Sequence, residues 1–216
     1  YGVPLSLSQL KTKHKFGIFE VGMSKPGEIN TLSKLIKPNI AIITNIGEAH
    51  IENFKNLKGI ADAKGEIINN VKKNGTIILN RDDKYYNYLK KKAKSQKLRV
   101  VSFGINKNSD ICLISSSKNK NFNKLVIKIK DQILRIEISN SNFYNILSSI
   151  ALLKELNLDI NKVINNFKKY EPTEGRGKIH YIKRYRKKFK LIDESYNANP
   201  LSAKIAIKKL SSIKKE

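Results

Sequence analysis

A chain of 216 residues carrying 43 Lys plus Arg against 18 Asp plus Glu has room for one domain or one and a half. Its apolar share of 40%, rich in Ile, Val and Leu, excludes global disorder in spite of a net charge of +25. A single cysteine, Cys112, excludes an internal disulfide, and the lack of any Cys/His cluster excludes a structural zinc module, so a reducing cytosol is the expected setting. The longest stretch without a formal charge, 138–153, holds Asn and Ser and falls short of the roughly 20 apolar residues that a spanning helix needs, so no membrane span is expected. The chain opens at Tyr1 with no basic-then-apolar leader and is expected to be a piece of something longer.

In chain order, Phe16–Gly22 (FGIFEVG) and Ile40–Ile46 (IAIITNI) read as buried strands of a parallel sheet. Between them, Pro26 suits a first helical turn, Glu28 complements the helix dipole, and Ile29, Leu32, Leu35 and Ile36 form one apolar face before Pro38 stops the helix. A second helix is expected from about Leu57 to Lys73 with Gly75 beyond its end, then a strand at Thr76–Leu79. A helix over Asp83–Ser95 and a strand at Arg99–Phe103 extend what reads as a doubly wound α/β pattern. From Asp110 to Ile138 the texture becomes alternating, and Leu125, Ile127 and Ile129 face Ile133, Leu134, Ile136 and Ile138 across an Asp131-Gln132 turn, an antiparallel hairpin. Helices over Asn142–Leu156 and Asp159–Tyr170 follow, and the Pro- and Gly-bearing run EPTEGRGK (171–178) marks a domain boundary, giving domains at 1–178 and 179–216. The second opens with a strand at Lys190–Asp193 and a helix from Pro200 capped by Asn199.

The charge argues against a nucleic-acid partner. Of the basic residues 37 are Lys and 6 are Arg, whereas bidentate phosphate and base contacts favour Arg. The excess is spread along the chain, least in the first third, as a solvated surface would be.

Ligands of open α/β sheets gather at the carboxyl ends of strands, which points to Glu20 and to 44–50. Glu20 in an apolar strand needs a cation, either a metal or a neighbouring Lys. His50, on a loop after a strand, suits a divalent metal or a loop cap. Lys64 falls on the apolar stripe of its helix with Ile60, Ala61, Ile67 and Ile68, so it faces inward. It then requires a partner or a modification, or its stem packs while the ammonium reaches solvent. Asn142 and Asn145 suit either a base edge or an N-cap. Arg176, between Gly175 and Gly177, suits a phosphate, and Asp193 suits a ribose or a turn.

The segments EVGMSKPGEI (20–29), TNIGEAHIENF (44–54), IADAKGEI (60–67), LNRDD (79–83), GRG (175–177) and LIDESYNANP (191–200) together resemble the Mur ligases along nearly the whole chain. The SYNANP run is most similar to the family member that joins D-Ala-D-Ala to UDP-N-acetylmuramoyl-tripeptide. The resemblance implies a P-loop NTPase-like central domain with a mostly parallel sheet, a small antiparallel region and the start of a Rossmann-like C-terminal domain. It implies an ATP-dependent, ADP-forming amide ligase of peptidoglycan synthesis, acting in the cytoplasm as a monomer through an acyl phosphate. By the family pattern Glu20 binds one Mg2+, and His50 and a carbamylated Lys64 bind a second, with Asn45 beside them. Asn142 and Asn145 correspond to the adenine-binding asparagines, Arg176 to the phosphate-contacting arginine and Asp193 to the ribose-contacting acid. Tyr196, Asn197 and Asn199 line the same junction.

Two departures stand out. Ser141 replaces the His that usually precedes the first adenine-binding Asn, and no G-x-x-x-x-G-K-[ST] occurs anywhere in the sequence. The family's phosphate loop lies just upstream of the GVPL that opens this chain, so the isolated piece is expected to be catalytically silent. The competing expectations are a sister Mur or folylpolyglutamate-type ligase, a Lys-rich nucleic-acid-binding module, or an inactive remnant.

Overall fold

Three apolar segments in succession, β1 (Ile40–Ile43), β2 (Thr76–Asn80) and β3 (Arg99–Gly104), lie side by side in parallel register. The computed structural model, which describes residues 2–48, 51–118, 122–139, 142–196 and 200–211, continues this sheet through β4 (Ile111–Lys118), β5 (Asn123–Ile129) and β6 (Gln132–Ile138) in the order β1-β2-β3-β4-β5-β6. β4 is parallel to β3, whereas β4, β5 and β6 form an antiparallel meander. The α/β class and the hairpin are as the periodicity predicts. The turn is shifted by one residue, to Lys130-Asp131, since Ile129 pairs with Gln132 and Lys130 takes a φ of 52°.

β2 is buried at every position because both sheet faces are covered. On one face Ile77 and Leu79 pack with Ile68 and Val71 and with Tyr86, Leu89 and Ala93 of helix α4 (Tyr86–Ser95). On the other, Ile78, Val101 and Phe103 pack against Ile146, Leu147, Ile150 and Ala151 of helix α5 (Phe143–Glu155). Each such aliphatic side chain contributes about 1.5–3 kcal/mol through its removal from water. Strand order follows sequence order and both crossovers lie on the α4 face, so the doubly wound alternation is corrected. The second face is covered by α5, which arrives only after the hairpin.

Three other expectations change. FGIFEVG forms no strand: Ile18 is 85% exposed and the segment is irregular. Apolar composition favours a strand only where a ladder partner accepts it, and β1 pairs with β2 alone among the described strands. Glu20 is therefore exposed on an irregular segment, and the argument for a cation in an apolar strand falls. The long helix from Leu57 is α3 (Leu57–Lys64) followed by a 3-10 stretch, Gly65–Asn70. The tighter winding begins at Gly65, where a Cβ would lie 3.0 Å from Leu89, and it turns Glu66 toward helix α2 (Glu28–Ile36). There the Glu66 carboxylate accepts from the backbone N–H groups of Gly27 (2.8 Å) and Asn30 (2.9 Å), capping a helix whose own N-cap, Gly27, has no side chain to do so. The expected helix at Asp159–Tyr170 is a 3-10 turn, Ile160–Lys162, and a short helix, Ile164–Lys169.

Beyond Gly177 a separate hairpin pairs β7 (Lys178–Arg184) with β8 (Lys187–Asp193). Only the end of β8 is expected from sequence. Its turn residues Tyr185 and Arg186 both have positive φ, 52° and 60°, and the rungs next to it set Lys183 opposite Lys188 and Arg184 opposite Lys187. A helix over Pro200–Ser211 ends the described chain, and an unforeseen one, Gly2–Ser8, begins it. Among the described residues no helix is long and apolar enough to cross a membrane.

Candidate active site

The carboxyl ends of β1, β2 and β3 converge on the LNRDD run. Asn80, buried at the end of β2, donates from Nδ2 to the Thr44 carbonyl (3.2 Å) and accepts the Asp82 N–H at Oδ1 (3.0 Å). Asp83 accepts the Ile46 N–H (2.6 Å) at one oxygen and the Tyr85 N–H (2.8 Å) at the other. The segment 44–46, expected as the end of a strand, is thus a loop held to its neighbour strand by side chains.

Lys64 is brought to this loop. It is half-buried at the end of α3, and its Nζ donates to the Asn45 carbonyl at 2.8 Å. Burial pushes the amine below its ordinary value, and the charge of Asp83 opposes that shift only in part. The inward orientation inferred from the stripe is observed, and its partner is a backbone carbonyl. An amine so placed is more readily deprotonated, as nucleophilic attack on CO2 requires. His50 lies outside the described residues.

Asn142 is the N-cap of α5, its Oδ1 accepting the Tyr144 N–H at 3.0 Å. The capping role occupies the oxygen and leaves the Nδ2 amide as the group for a ligand. Asn145 is exposed one turn on, its carbonyl accepting from Ser148 and Ser149 hydroxyls. Ser141 lies outside the described residues.

A third group forms at the start of the β7–β8 hairpin. Asp193 accepts the Gly175 N–H (2.9 Å) at Oδ2 and the Ser195 hydroxyl (2.6 Å) and N–H (3.1 Å) at Oδ1, and these bonds, the hydroxyl first, hold its carboxyl below the usual range. These bonds give Asp193 the turn-forming contacts weighed for it, and a ribose contact belongs to the proposal below. Gly175 has a φ of +74°, and a Cβ there would meet Tyr196 at 2.6 Å, so glycine is required on both counts. The Arg176 guanidinium stacks over the Tyr196 ring at 4.2 Å, which orients it. Asn197 and Asn199 lie outside the described residues.

Asn80 and Asp83 carry much of this geometry and were given no role from sequence beyond their place in the LNRDD segment. The available signal was the run of four polar residues, Asn80 to Asp83, that closes a buried strand in LNRDD. Among the described residues there is no group of three His, Cys, Asp or Glu side chains able to hold a metal ion, and both Asp83 oxygens already accept backbone N–H groups. The described residues alone do not fit a resident magnesium site.

The family model for the Mur ligase middle domain matches residues 1–153, and the chain belongs to the Mur ligase family. UDP-N-acetylmuramoyl-tripeptide--D-alanyl-D-alanine ligase of Buchnera aphidicola subsp. Baizongia pistaciae is 32% identical over 98% of this chain and 46% of its own length. Among solved structures, MurF from Acinetobacter baumannii superposes with a TM-score of 0.87 at 25% identity, over 98% of this chain and 46% of that one. MurF ligase from Thermotoga maritima in complex with ADP superposes with a TM-score of 0.83 at 24% identity, over 100% and 49%, a likeness of fold. The chain spans about half the length of the relatives it matches.

Proposed function

We propose that this chain supplies part of the active site of an ATP-dependent, ADP-forming ligase that joins D-Ala-D-Ala to UDP-N-acetylmuramoyl-tripeptide, working in the cytoplasm as a monomer. The reading is carried by the 32% identity along 98% of the chain to a ligase of that name. The ADP complex of a fold neighbour supports the nucleotide. In this reading the N-terminal turn of α5, with the Asn142 amide and Asn145, faces adenine, Arg176 held on Tyr196 meets a phosphate, and Asp193 orders the loop that carries Arg176.

A carbamate on Lys64 belongs to the same proposal, and so does magnesium at the nucleotide phosphates, for which Glu20 and His50 are carried over from the resemblance alone because the described residues do not themselves form the site. Bound cations would neutralise the phosphates, and the desolvated Lys64 amine beside Asn45 supports its modification. The division into domains at 1–178 and 179–216 belongs to the same proposal, with Lys178 at the boundary pairing with Asp193 in the second sheet.

The test is ADP release by the protein translated from the complete reading frame, given UDP-N-acetylmuramoyl-tripeptide with D-Ala-D-Ala, single amino acids or no acceptor. Release that depends on the dipeptide is expected. Release with a single amino acid instead would assign a sister ligase, and none with any acceptor would sink the reading.

A further inference from the structure

We propose that the tip of the β7–β8 hairpin is a docking site for an anionic phospholipid bilayer, with Tyr185 entering the headgroup region and a ring of Lys and Arg side chains meeting lipid phosphates around it.

From 175 to 192 the chain carries eight Lys and Arg residues and no Asp or Glu, and six of the eight fall in the run KRYRKKFK, 183–190. All six are exposed. Among the described residues, Lys183, Arg184, Arg186, Lys187 and Lys188 form no ion pair with a carboxylate. Residues paired directly across an antiparallel ladder share a face, and successive residues alternate between faces. One face of the tip therefore bears Lys183 and Lys188, followed by Tyr181 and Lys190, and the other bears Arg184 and Lys187, followed by Ile182 and Phe189. Cations surround the tip on both sides.

Two features of the tip act against the hairpin itself. Like charges stand directly opposite at both of these rungs, which is destabilising. The turn between them sets Tyr185 and Arg186 at φ of 52° and 60°, a geometry that favours Asn-Gly and strains residues with larger side chains. Local rules broken together at an exposed site point to a role outside the fold, and phosphate groups set among the paired cations would relieve the repulsion.

The aromatic residues select the partner. Tyr185 is 80% exposed at the apex, with the Arg184 guanidinium over its ring at 5.1 Å. Tyr181 and Phe189 lie on opposite faces, so they offer successive bases no common stacking platform, as a single-stranded nucleic acid requires. A bilayer interface suits an aromatic apex with cations on every side, since Tyr settles at headgroup level and each Lys or Arg adds attraction to anionic lipid. Association of this kind needs no spanning helix. Asp193 ends the same strand, about 20 Å from the turn at roughly 3.3 Å per residue, so a docked tip leaves the proposed nucleotide groups open.

The test is flotation of the protein translated from the complete reading frame with vesicles of phosphatidylglycerol mixed with phosphatidylcholine, and with phosphatidylcholine alone. Binding to the mixed vesicles only is expected. Lys183→Gln, Arg184→Gln, Lys187→Gln and Lys188→Gln combined should weaken it at least about tenfold, whereas Lys72→Gln, Lys91→Gln, Lys94→Gln and Lys97→Gln combined, which remove the same charge from other exposed positions, should weaken it less than about twofold. Tyr185→Asn with Arg186→Gly supplies the preferred turn, so it should raise Tm and yet weaken binding about three- to tenfold. Equal losses in the two fourfold variants would show a diffuse attraction of the whole basic chain and overturn the proposal. So would undiminished binding in the tip variants, or tip-dependent binding of a single-stranded oligonucleotide with none of the vesicles.

Discussion

Lys64→Met, made in the protein from the complete reading frame, should lower dipeptide-dependent ADP release by about 10²–10³-fold, the scale of losing one preorganised charged group at a reacting centre. The same change should leave Tm unchanged or raise it. Burial disfavours the charged Lys64 amine, so an apolar side chain of similar length removes a desolvation cost and gives up one hydrogen bond to Asn45. This divergence separates a functional lysine from one whose stem merely packs, which would lose stability and activity together. Lys64→Ala adds a chemical check on the proposed carbamate: short carboxylates should restore part of its activity. Ordinary activity in Lys64→Met would remove Lys64 from the machinery, and loss without carboxylate rescue in Lys64→Ala would argue for an amine rather than a carbamate.

Gly104→Ala is expected to destabilise the fold by about 2–4 kcal/mol, through backbone strain and overpacking acting at one residue. The φ of +155° at Gly104 disfavours a side chain, and the added methyl would lie 2.3 Å from one Asp82 oxygen and 3.0 Å from the other. For a chain of this size the loss corresponds to a fall in Tm of roughly 5–15 °C, measured by thermal unfolding. In an Asp82→Ala background the clash is gone and only the backbone term remains, so the cost of Gly104→Ala should fall there to about half or less. Equal costs in both backgrounds would show that the carboxylate is not held where the structure places it.

The parts of this architecture that sequence reveals are those fixed by local periodicity. Helices α2 and α5 and the β5–β6 hairpin follow from apolar spacing, and the inward face of Lys64 follows from its place on a stripe. Elements that depend on a distant partner do not follow. FGIFEVG has the composition of a strand and no ladder, and β7 hides its alternation under the basic run KIHYIKR. Leu89, far along the chain, approaches so closely at Gly65, where the 3-10 winding begins, that a Cβ there would lie 3.0 Å from it. The site divides the same way. The resemblance brought Asn142, Asn145, Arg176 and Asp193 into view, whereas nothing in LNRDD announces that Asn80 and Asp83 hold the loop 44–46 and that Asp82 accepts from the backbone of Ile105 and Asn106. Such long-range hydrogen bonds leave no periodic trace.

The β7–β8 hairpin gives this one molecule two opposite responses to ionic strength. Its turn is flanked by rungs of like charge, Lys183 with Lys188 and Arg184 with Lys187, and dissolved salt relieves that repulsion. Elsewhere the exposed attractive pairs Lys58–Asp62 and Lys168–Glu137 are weakened by the same ions. Raising the salt therefore steadies the hairpin tip while it loosens the ties on α3 and on the β6 edge, so amide exchange in the two regions should move in contrary directions along a sodium chloride series.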